Sequence, residues 1–392
     1  MQADICIVGG AGHVGLPLGI AFAVAGKSVC IYDINRAAMD QIQSGSLPFM
    51  EVGAEPLLKS VLSKGLLTFT NQPENVGQAK VVIVTIGTPV DEFLNPSLKL
   101  ISDCFDTLAP HLRSDQHIVL RSTVYPSVTE YVAKTLKEKG LNCEISFCPE
   151  RIVQGYAIQE LKSLPQIVSG VTKEAEDTAA DLFKAIAPEV VRLSPKEAEF
   201  AKLFCNSFRY IQFATANQFY MICESAKVDY YKVLKAMKHN YPRMKDVPGA
   251  GFAAGPCLFK DTMQLSAFYE NQFSIGLQAM LVNEGLPLFL VGQLRQKCDL
   301  SKLTVGLLGM AFKAQSDDRR SSLSYKLKKV LSTQAKAVLT TDPFVKDDPD
   351  LRPLPEVIEN SDVVFLCAPH EEYKDLRLHG KEVVDVWRFL PH

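Results

Sequence analysis

The segment Ile5–Gly26, ICIVGGAGHVGLPLGIAFAVAG, constrains this chain more than any other. It has no Asp, Glu, Lys or Arg, and its length would suit a helix crossing a membrane. Its six glycines and Pro17 argue against that helix, and Asp4 stands before it where a secretory signal would carry basic residues. A buried strand, a glycine turn and a buried helix account for it better. Gly10, Gly12 and Gly15 then have the spacing G-x-G-x-x-G, and Asp33 closes the next apolar run, SVCIYD. Strand, glycine turn, helix and acidic residue in this order are the context a dinucleotide fingerprint requires. Glycines let the amides of a helix N-terminus approach a pyrophosphate. Asp33 would accept hydrogen bonds from the adenosine ribose and repel a 2′-phosphate, which favours NAD over NADP, with Arg36 as an opposing charge nearby. The competing reading is a tight strand-to-helix turn that binds nothing.

The first half of the chain continues in alternation. KVVIVTIGTP, HIVLRSTV and CEISFCPE are short β-rich runs separated by helical patterns, as in a parallel doubly wound sheet. Ligands of such sheets sit at the carboxyl ends of the strands, where GTP, STV and PE fall. From Ser194 the period becomes helical for more than thirty residues, with Ser194 as N-cap, Pro195 in the first turn and Glu197 three residues on. A second helical region runs from about Lys260 to Lys297. KLTVGLLGMAF, AVLTTDP, DVVFLCAP and EVVDVW then form a second α/β series. The expected architecture is α/β, with two Rossmann-like domains joined by a long central helix and helical region. Its parts are a cofactor-binding domain at 1–193, a helical domain at 194–297 and a smaller α/β domain at 298–392.

Composition narrows the partners. With 392 residues, 22% charged, and a net charge of −2, the chain has no basic excess for nucleic acid or an anionic membrane surface. Its ten cysteines include no C-x-x-C pair and no metal-ligand spacing. Reduced thiols, a cytoplasmic location and no metal are expected.

One thiol stands apart. GFAAGPCLFKD places Cys257 among glycines, alanines and a proline, with Lys260 and Asp261 three and four residues later. A nearby cation favours the thiolate, and a carboxylate can act on a proton or a water. Spacing alone leaves covalent catalysis and a buried thiol in a glycine-rich loop both open. On the long helix, Lys202, Asn206 and Arg209 share one face, and Phe200, Phe204 and Ile211 lie near the other. From that segment alone a solvated polar face is the simpler reading.

GGAGHVGLPLG, PFMEVGAEPLL, TIGTPVD, RSTVYP, CPERI, AKLFCNSFR, GFAAGPCLFKD, GMAFKAQSDDRRSS and VVDVW, taken in this order, resemble the UDP-glucose/GDP-mannose dehydrogenase family over nearly the whole chain. The resemblance implies a four-electron oxidation of C6 of a nucleotide-linked hexose to the acid, with two NAD and no release of the aldehyde. By the same resemblance, Cys257 matches the nucleophile that carries a thiohemiacetal and then a thioester. Lys202 and Asn206 match the residues that stabilise the oxyanion, and Asp261 and Thr123 those that position or activate water. Glu150 matches a glutamate tied to hydrolysis. NAD contacts are implied for Gly10, Gly12, His13, Val14 and Gly15, and further along for Asp33, Arg36, Thr88, Thr123 and Arg320. Sugar-nucleotide contacts are implied for Glu150, Lys202, Asn206 and Lys260, together with Gly251 and Arg243, the last often across a homodimer.

Two segments depart from the family pattern. Gln154 stands where members that oxidise UDP-glucose usually have glutamate, and AAGPC replaces the common GGSC or GGHC. CPERI resembles branches acting on UDP-N-acetylhexosamines, whereas CLFKD resembles the UDP-glucose branch. The sugar therefore stays open between the two. The competing activities are a two-electron NAD dehydrogenase of the 6-phosphogluconate or 3-hydroxyacid type, and a non-catalytic sensor of NAD or a nucleotide sugar. Neither needs the grouping of Cys257, Lys260 and Asp261.

Overall fold

A computed structural model describes residues 3–391. The chain divides into two compact units, Met1–Cys205 and Asn206–His392. In the first, the apolar segment at the N-terminus becomes strand β1 (Ile5–Val8), a glycine turn and helix α1 (Gly15–Val24). Seven more strands follow: β2 (Val29–Tyr32), β3 (Leu67–Thr70), β4 (Val81–Val84), β5 (His117–Leu120), β6 (Glu144–Phe147), β7 (Gln166–Gly170) and β8 (Val190–Arg192). They form one sheet in the order β3-β2-β1-β4-β5-β6-β7-β8, parallel except between β6 and β7. Such strands are buried on both faces, which explains runs like ICIV and HIVL with no polar alternation.

Register sets where chemistry can occur. Val8 lies beside Tyr32 and Val84, Val84 beside Leu120, and Leu120 beside Phe147. Gly9, Asp33, Thr85, Arg121 and Cys148 therefore leave the sheet at one edge. The strand order reverses direction at β1 and β4, which is the switch point where doubly wound sheets bind ligands.

Pro195–Ser225 (α2) is one continuous helix, and the boundary between the units falls within it. Its start is a capping box: Ser194 N–H and Oγ donate to Glu197 Oε2 at 2.9 and 2.6 Å, and Glu197 N–H donates back to Ser194 Oγ at 3.5 Å.

The second unit holds helices Leu258–Phe268 (α3) and Ser274–Arg295 (α4). It also holds a parallel sheet of β9 (Thr304–Leu308), β10 (Ala337–Thr341), β11 (Val363–Leu366) and β12 (Glu382–Val384), in the order β10-β9-β11-β12. Helix α4 is long and apolar enough to cross a membrane by length and composition, but Leu286, Leu290 and Leu294 are buried in the core of this unit.

The two sheets repeat one device. Asp33 after β2 accepts from Ala11 N–H at 3.0 Å, and Asp342 after β10 accepts from Met310 and Ala311 N–H at 2.6 and 2.9 Å. In each case a carboxylate fastens the turn that follows the neighbouring strand. Asp342 also receives His370 Nε2 at 3.2 Å. Burial alone would raise its carboxyl, but His370 and the Val345 and Ala311 amides outweigh that and hold it below the usual carboxylate range.

Candidate active site

The glycine turn of the first unit is shaped for close approach. A Cβ at Gly10 would lie 2.7 Å from the Ile7 carbonyl, and one at Gly15 would lie 2.6 Å from Gly10 Cα, so neither position has room for a side chain. A Cβ at Gly12 would meet nothing nearer than the Gly9 carbonyl at 3.7 Å, which leaves that side open to a ligand. Val14 directly precedes α1, and its backbone is already helical. The His13 ring packs on Phe49 with centroids 4.0 Å apart, and its Nε2 lies 3.3 Å from Gln154 Nε2.

Asp33 Oδ1 accepts Asn35 N–H at 2.9 Å while Oδ2 holds the turn, so both oxygens are oriented. Beside it Ile34 is 86% exposed, an apolar side chain that the sequence reading passed over and that suits the flat face of an adenine. With the Asn71 amide oriented to satisfy its neighbours, its oxygen accepts from Arg36 Nε and Nη2 at 2.5 and 2.6 Å. Arg36 is thereby engaged by the end of the neighbouring strand. The glycine turn and the fixed carboxylate fit NAD: Gly10 and Gly15 keep the turn tight, the open side at Gly12 would admit the pyrophosphate, and Asp33 would meet the ribose.

Further along the same edge, Thr88 Oγ1 donates to the Thr123 carbonyl, which joins the turns after β4 and β5. Glu150 lies after β6. Its Oε1 accepts Arg151 and Ile152 N–H at 2.7 and 2.8 Å, and its Oε2 pairs with Arg121. Arg121 is fully buried; it also donates to the Cys148 carbonyl and to Gln166 Oε1, at 3.1 and 2.9 Å, and lies over the Phe183 ring. The sequence reading missed this arginine although it opens RSTVYP. Its partners come after β6, from β7 and from a helix, far along the chain, and no local pattern marks them.

In the second unit Cys257 is exposed and occupies the N-cap of α3. Asp261 follows one helical turn later, on the same face, with its N–H donating to the Cys257 carbonyl at 2.9 Å. Asp261 is fully buried; Asn206 Nδ2 donates to its Oδ2 at 2.5 Å, and Lys260 Nζ stands 2.9 Å from its Oδ1. Arg320 grips Asp318 through Nε and Nη2, at 3.0 and 2.6 Å, and interacts electrostatically with Cys257.

Helix α2 corrects one expectation about exposure. Lys202 and Asn206 are only 8% and 6% exposed, whereas Phe204 and Phe208 are open to solvent. The polar face is the covered one, so the solvated reading fails; Arg209 alone of that trio is exposed. Arg243 is exposed too, in a short 3-10 helix with its guanidinium over the Tyr241 ring. Among the described residues, no contact joins it to the Cys257 group.

The glycines around Cys257 lie against aromatic rings. A Cβ at Gly251 would lie 2.1 Å from Trp387 Cζ3, and one at Gly255 2.5 Å from Phe312 Cδ2. The space left by the missing side chains is filled by aromatic rings of the same unit.

A glycine cradle at the switch point of a doubly wound sheet, with an acidic residue at the end of the next strand, defines a Rossmann-type NAD-binding protein. The second unit adds an exposed thiol at a helix N-terminus. The chain belongs to the UDP-glucose/GDP-mannose dehydrogenase family: residues 3–187 match its NAD binding domain, 196–284 its central domain and 306–392 its UDP binding domain. NAD is accordingly the cofactor. A UDP-N-acetyl-D-mannosamine dehydrogenase of Pyrococcus horikoshii is 30% identical over 379 residues, covering 94% of this chain and 90% of that protein. A solved structure of a UDP-D-ManNAc dehydrogenase from the same organism superposes with a TM-score of 0.92 at 27% identity, covering 99% of this chain and 96% of the other. A UDP-glucose dehydrogenase from Pyrobaculum islandicum gives the same TM-score at 26% identity, with 99% and 95% covered.

Proposed function

We propose that this protein oxidises C6 of a UDP-hexose from alcohol to carboxylate through covalent intermediates on Cys257. The observation that carries this reading is the exposed thiol at the N-terminus of α3, one turn before a buried Asp261 held by Asn206 and Lys260. A two-electron dehydrogenase or a sensor would need none of this.

NAD, when bound, supplies the hydride acceptor for both oxidations. The remaining work falls to side chains. Loss of a proton and a hydride turns the C6 alcohol into an aldehyde. The Cys257 thiolate adds to that carbonyl carbon, forming a C–S bond and a thiohemiacetal. Lys202 and Asn206 offer N–H donors to the oxygen as charge develops there. A second loss of hydride and proton leaves a thioester. Water, activated by Asp261, cleaves the C–S bond, restoring the thiol and releasing the acid; the family resemblance assigns Thr123 to the same step. Glu150, held in one orientation by two backbone amides and Arg121, assists this hydrolysis. Gly251, Lys260 and Arg243 serve the sugar nucleotide, and Arg320 the cofactor.

One turnover consumes an alcohol, two NAD and one water. Two NADH should therefore form per sugar consumed, with no free aldehyde, when UDP-N-acetyl-D-mannosamine, UDP-N-acetylglucosamine, UDP-glucose and GDP-mannose are each tried with NAD. UDP-N-acetyl-D-mannosamine comes first because the Pyrococcus horikoshii relative carries its name. A ratio of one, with a stable carbonyl product, would move the protein to the two-electron class.

The same reading makes the protein a cytoplasmic homodimer. No disulfide joins its cysteines among the described residues, as in a reducing compartment. Phe204, Phe208, Phe219 and Ile222 form an exposed apolar stripe along α2, at spacings that one face of a helix presents together. A second copy of the same helix is the partner that this stripe suits, and the exposed Arg243 would then serve the neighbouring subunit. Light scattering at assay concentration should give twice the chain mass of 43.3 kDa; an active monomer would remove the dimer and the role of Arg243 in it.

A further inference from the structure

We infer that Trp387 is a positioning residue for the loop that presents Cys257: its indole is the surface on which Gly251 is seated, so that the C-terminal sheet fixes where the thiol stands. The inference rests on the reading of Cys257 as nucleophile.

Each side of the loop is held by a named contact. On one side, Gly251 N–H donates to Asn217 Oδ1 at 2.8 Å. Asn217 donates to Asn283 Oδ1 at 2.9 Å, and Asn283 to the Tyr210 carbonyl at 3.1 Å. Asn217 and Asn283 are fully buried, so this chain of amides ties the loop to α2 and α4 with no competing water. On the other side lies the Trp387 ring. Gly251 has φ +157° and a Cβ there would fall 2.1 to 2.4 Å from three ring atoms, so backbone and ring are in direct contact.

The ring itself is fixed. Trp387 Nε1 donates to the Cys367 carbonyl, just past β11, at 3.2 Å. Asp385 caps the turn that bears it, accepting Trp387 N–H at 3.0 Å and Phe389 and Leu390 N–H at 2.8 Å each. Tyr231 Oη bridges the two partners, 2.7 Å from the Val386 carbonyl and 3.3 Å from that of Ala250. Four residues beyond Gly251, the same arrangement recurs: Gly255 N–H donates to the Ser321 carbonyl at 3.3 Å and its α-carbon faces the Phe312 ring. Cys257 follows two residues later. A loop without side chains at its contact points takes its position from what it rests on, and here that is Trp387 and Phe312.

The test uses the full-length protein carrying Trp387→Ala, Trp387→Phe, Gly251→Ala, and Gly251→Ala with Trp387→Ala. Two readouts are taken: kcat and KM for the UDP-sugar, and the rate at which iodoacetamide alkylates Cys257, followed by peptide mass mapping. Displacement of a reacting group by about 1 Å can cost roughly 100-fold in rate. Trp387→Ala should therefore lower kcat by about 10- to 100-fold, a larger factor than any rise in KM, and alter Cys257 alkylation. Trp387→Phe keeps a ring face and should recover most of both. Gly251→Ala should be at least as damaging alone, but less so beside Trp387→Ala, where the methyl group has room; the non-additivity measures the contact. Wild-type kcat and alkylation in Trp387→Ala, or strictly additive effects in the double variant, would overturn the inference. Alkylation does not depend on turnover. If the proposed oxidation were wrong, the thiol's position would still be read, so the two failures are distinguishable. Thermal melts of each variant, with Trp387→Phe as the mildest, separate displacement of the loop from loss of the fold.

Discussion

Cys257→Ala should lose NADH formation from a UDP-hexose by roughly 10³-fold or more, the scale expected when the nucleophile of a covalent catalyst is removed. The reason is chemical. Cysteine is already partly thiolate near neutral pH, and a thiolate is a strong nucleophile. Alanine offers no atom that can add to the aldehyde. Cys257→Ser keeps the size and leaves a hydroxyl, a far poorer nucleophile, and any ester it forms hydrolyses slowly. The serine variant should therefore accumulate a slow adduct of sugar mass in intact-protein mass spectra, and the alanine variant none. NAD affinity should change little in both, because Cys257 is not among the residues assigned to the dinucleotide, Gly10, Gly12, Gly15 and Asp33 among them. Near-wild-type turnover in Cys257→Ala would take this residue out of the mechanism and leave GFAAGPCLFKD as a packing loop.

The sequence carried the fold well wherever structure is local. The ICIV strand, the turn at Gly10 to Gly15 and the Ser194 capping box each depend on residues within a few positions, and each appears as the pattern implies. Faces of helices were legible only by half. Periodicity grouped Lys202 with Asn206 and set Phe204 apart, but it does not say which face is covered. That depends on Asp261, 55 residues beyond Asn206, whose buried carboxylate draws the polar face inward. Glycines gave a similar ambiguity: the sequence shows that something lies close to Gly251 but not that it is Trp387, more than a hundred residues on. Trp387 is the chain's only tryptophan, a signal visible in composition but without a partner until the sheet is folded. Arg121 gave no signal at all, since an arginine after a strand is ordinarily a solvated charge.

Arg121→Met should have the largest effect on stability of any single change outside the Cys257 group, because it removes one side of a buried ion pair. Arg121 has no exposed surface and Glu150 has 8%. Replacing the guanidinium strands the Glu150 carboxylate against two backbone amides and leaves the Cys148 carbonyl and Gln166 Oε1 without this donor. Breaking such a pair from one side costs about 3–5 kcal/mol, more than the pair is worth against an apolar replacement of both partners. For a unit of this size each kcal/mol lowers the melting temperature by about 2–4 °C, so its transition should fall by roughly 6–20 °C in calorimetry. The asymmetry gives the control. Arg121→Met with Glu150→Gln leaves no stranded charge and should recover part of the loss, and the difference from additivity is the coupling. Glu150→Gln alone should slow turnover through the hydrolysis step while costing less stability than Arg121→Met, because the glutamine oxygen can still accept from the two amides and Arg121 keeps the Cys148 carbonyl and Gln166 Oε1 as acceptors, although the glutamine NH2 cannot accept from Arg121. If Arg121→Met unfolds within about 0.5 kcal/mol of the wild type, the range of an ordinary surface change, then this arginine does not hold Glu150 in place.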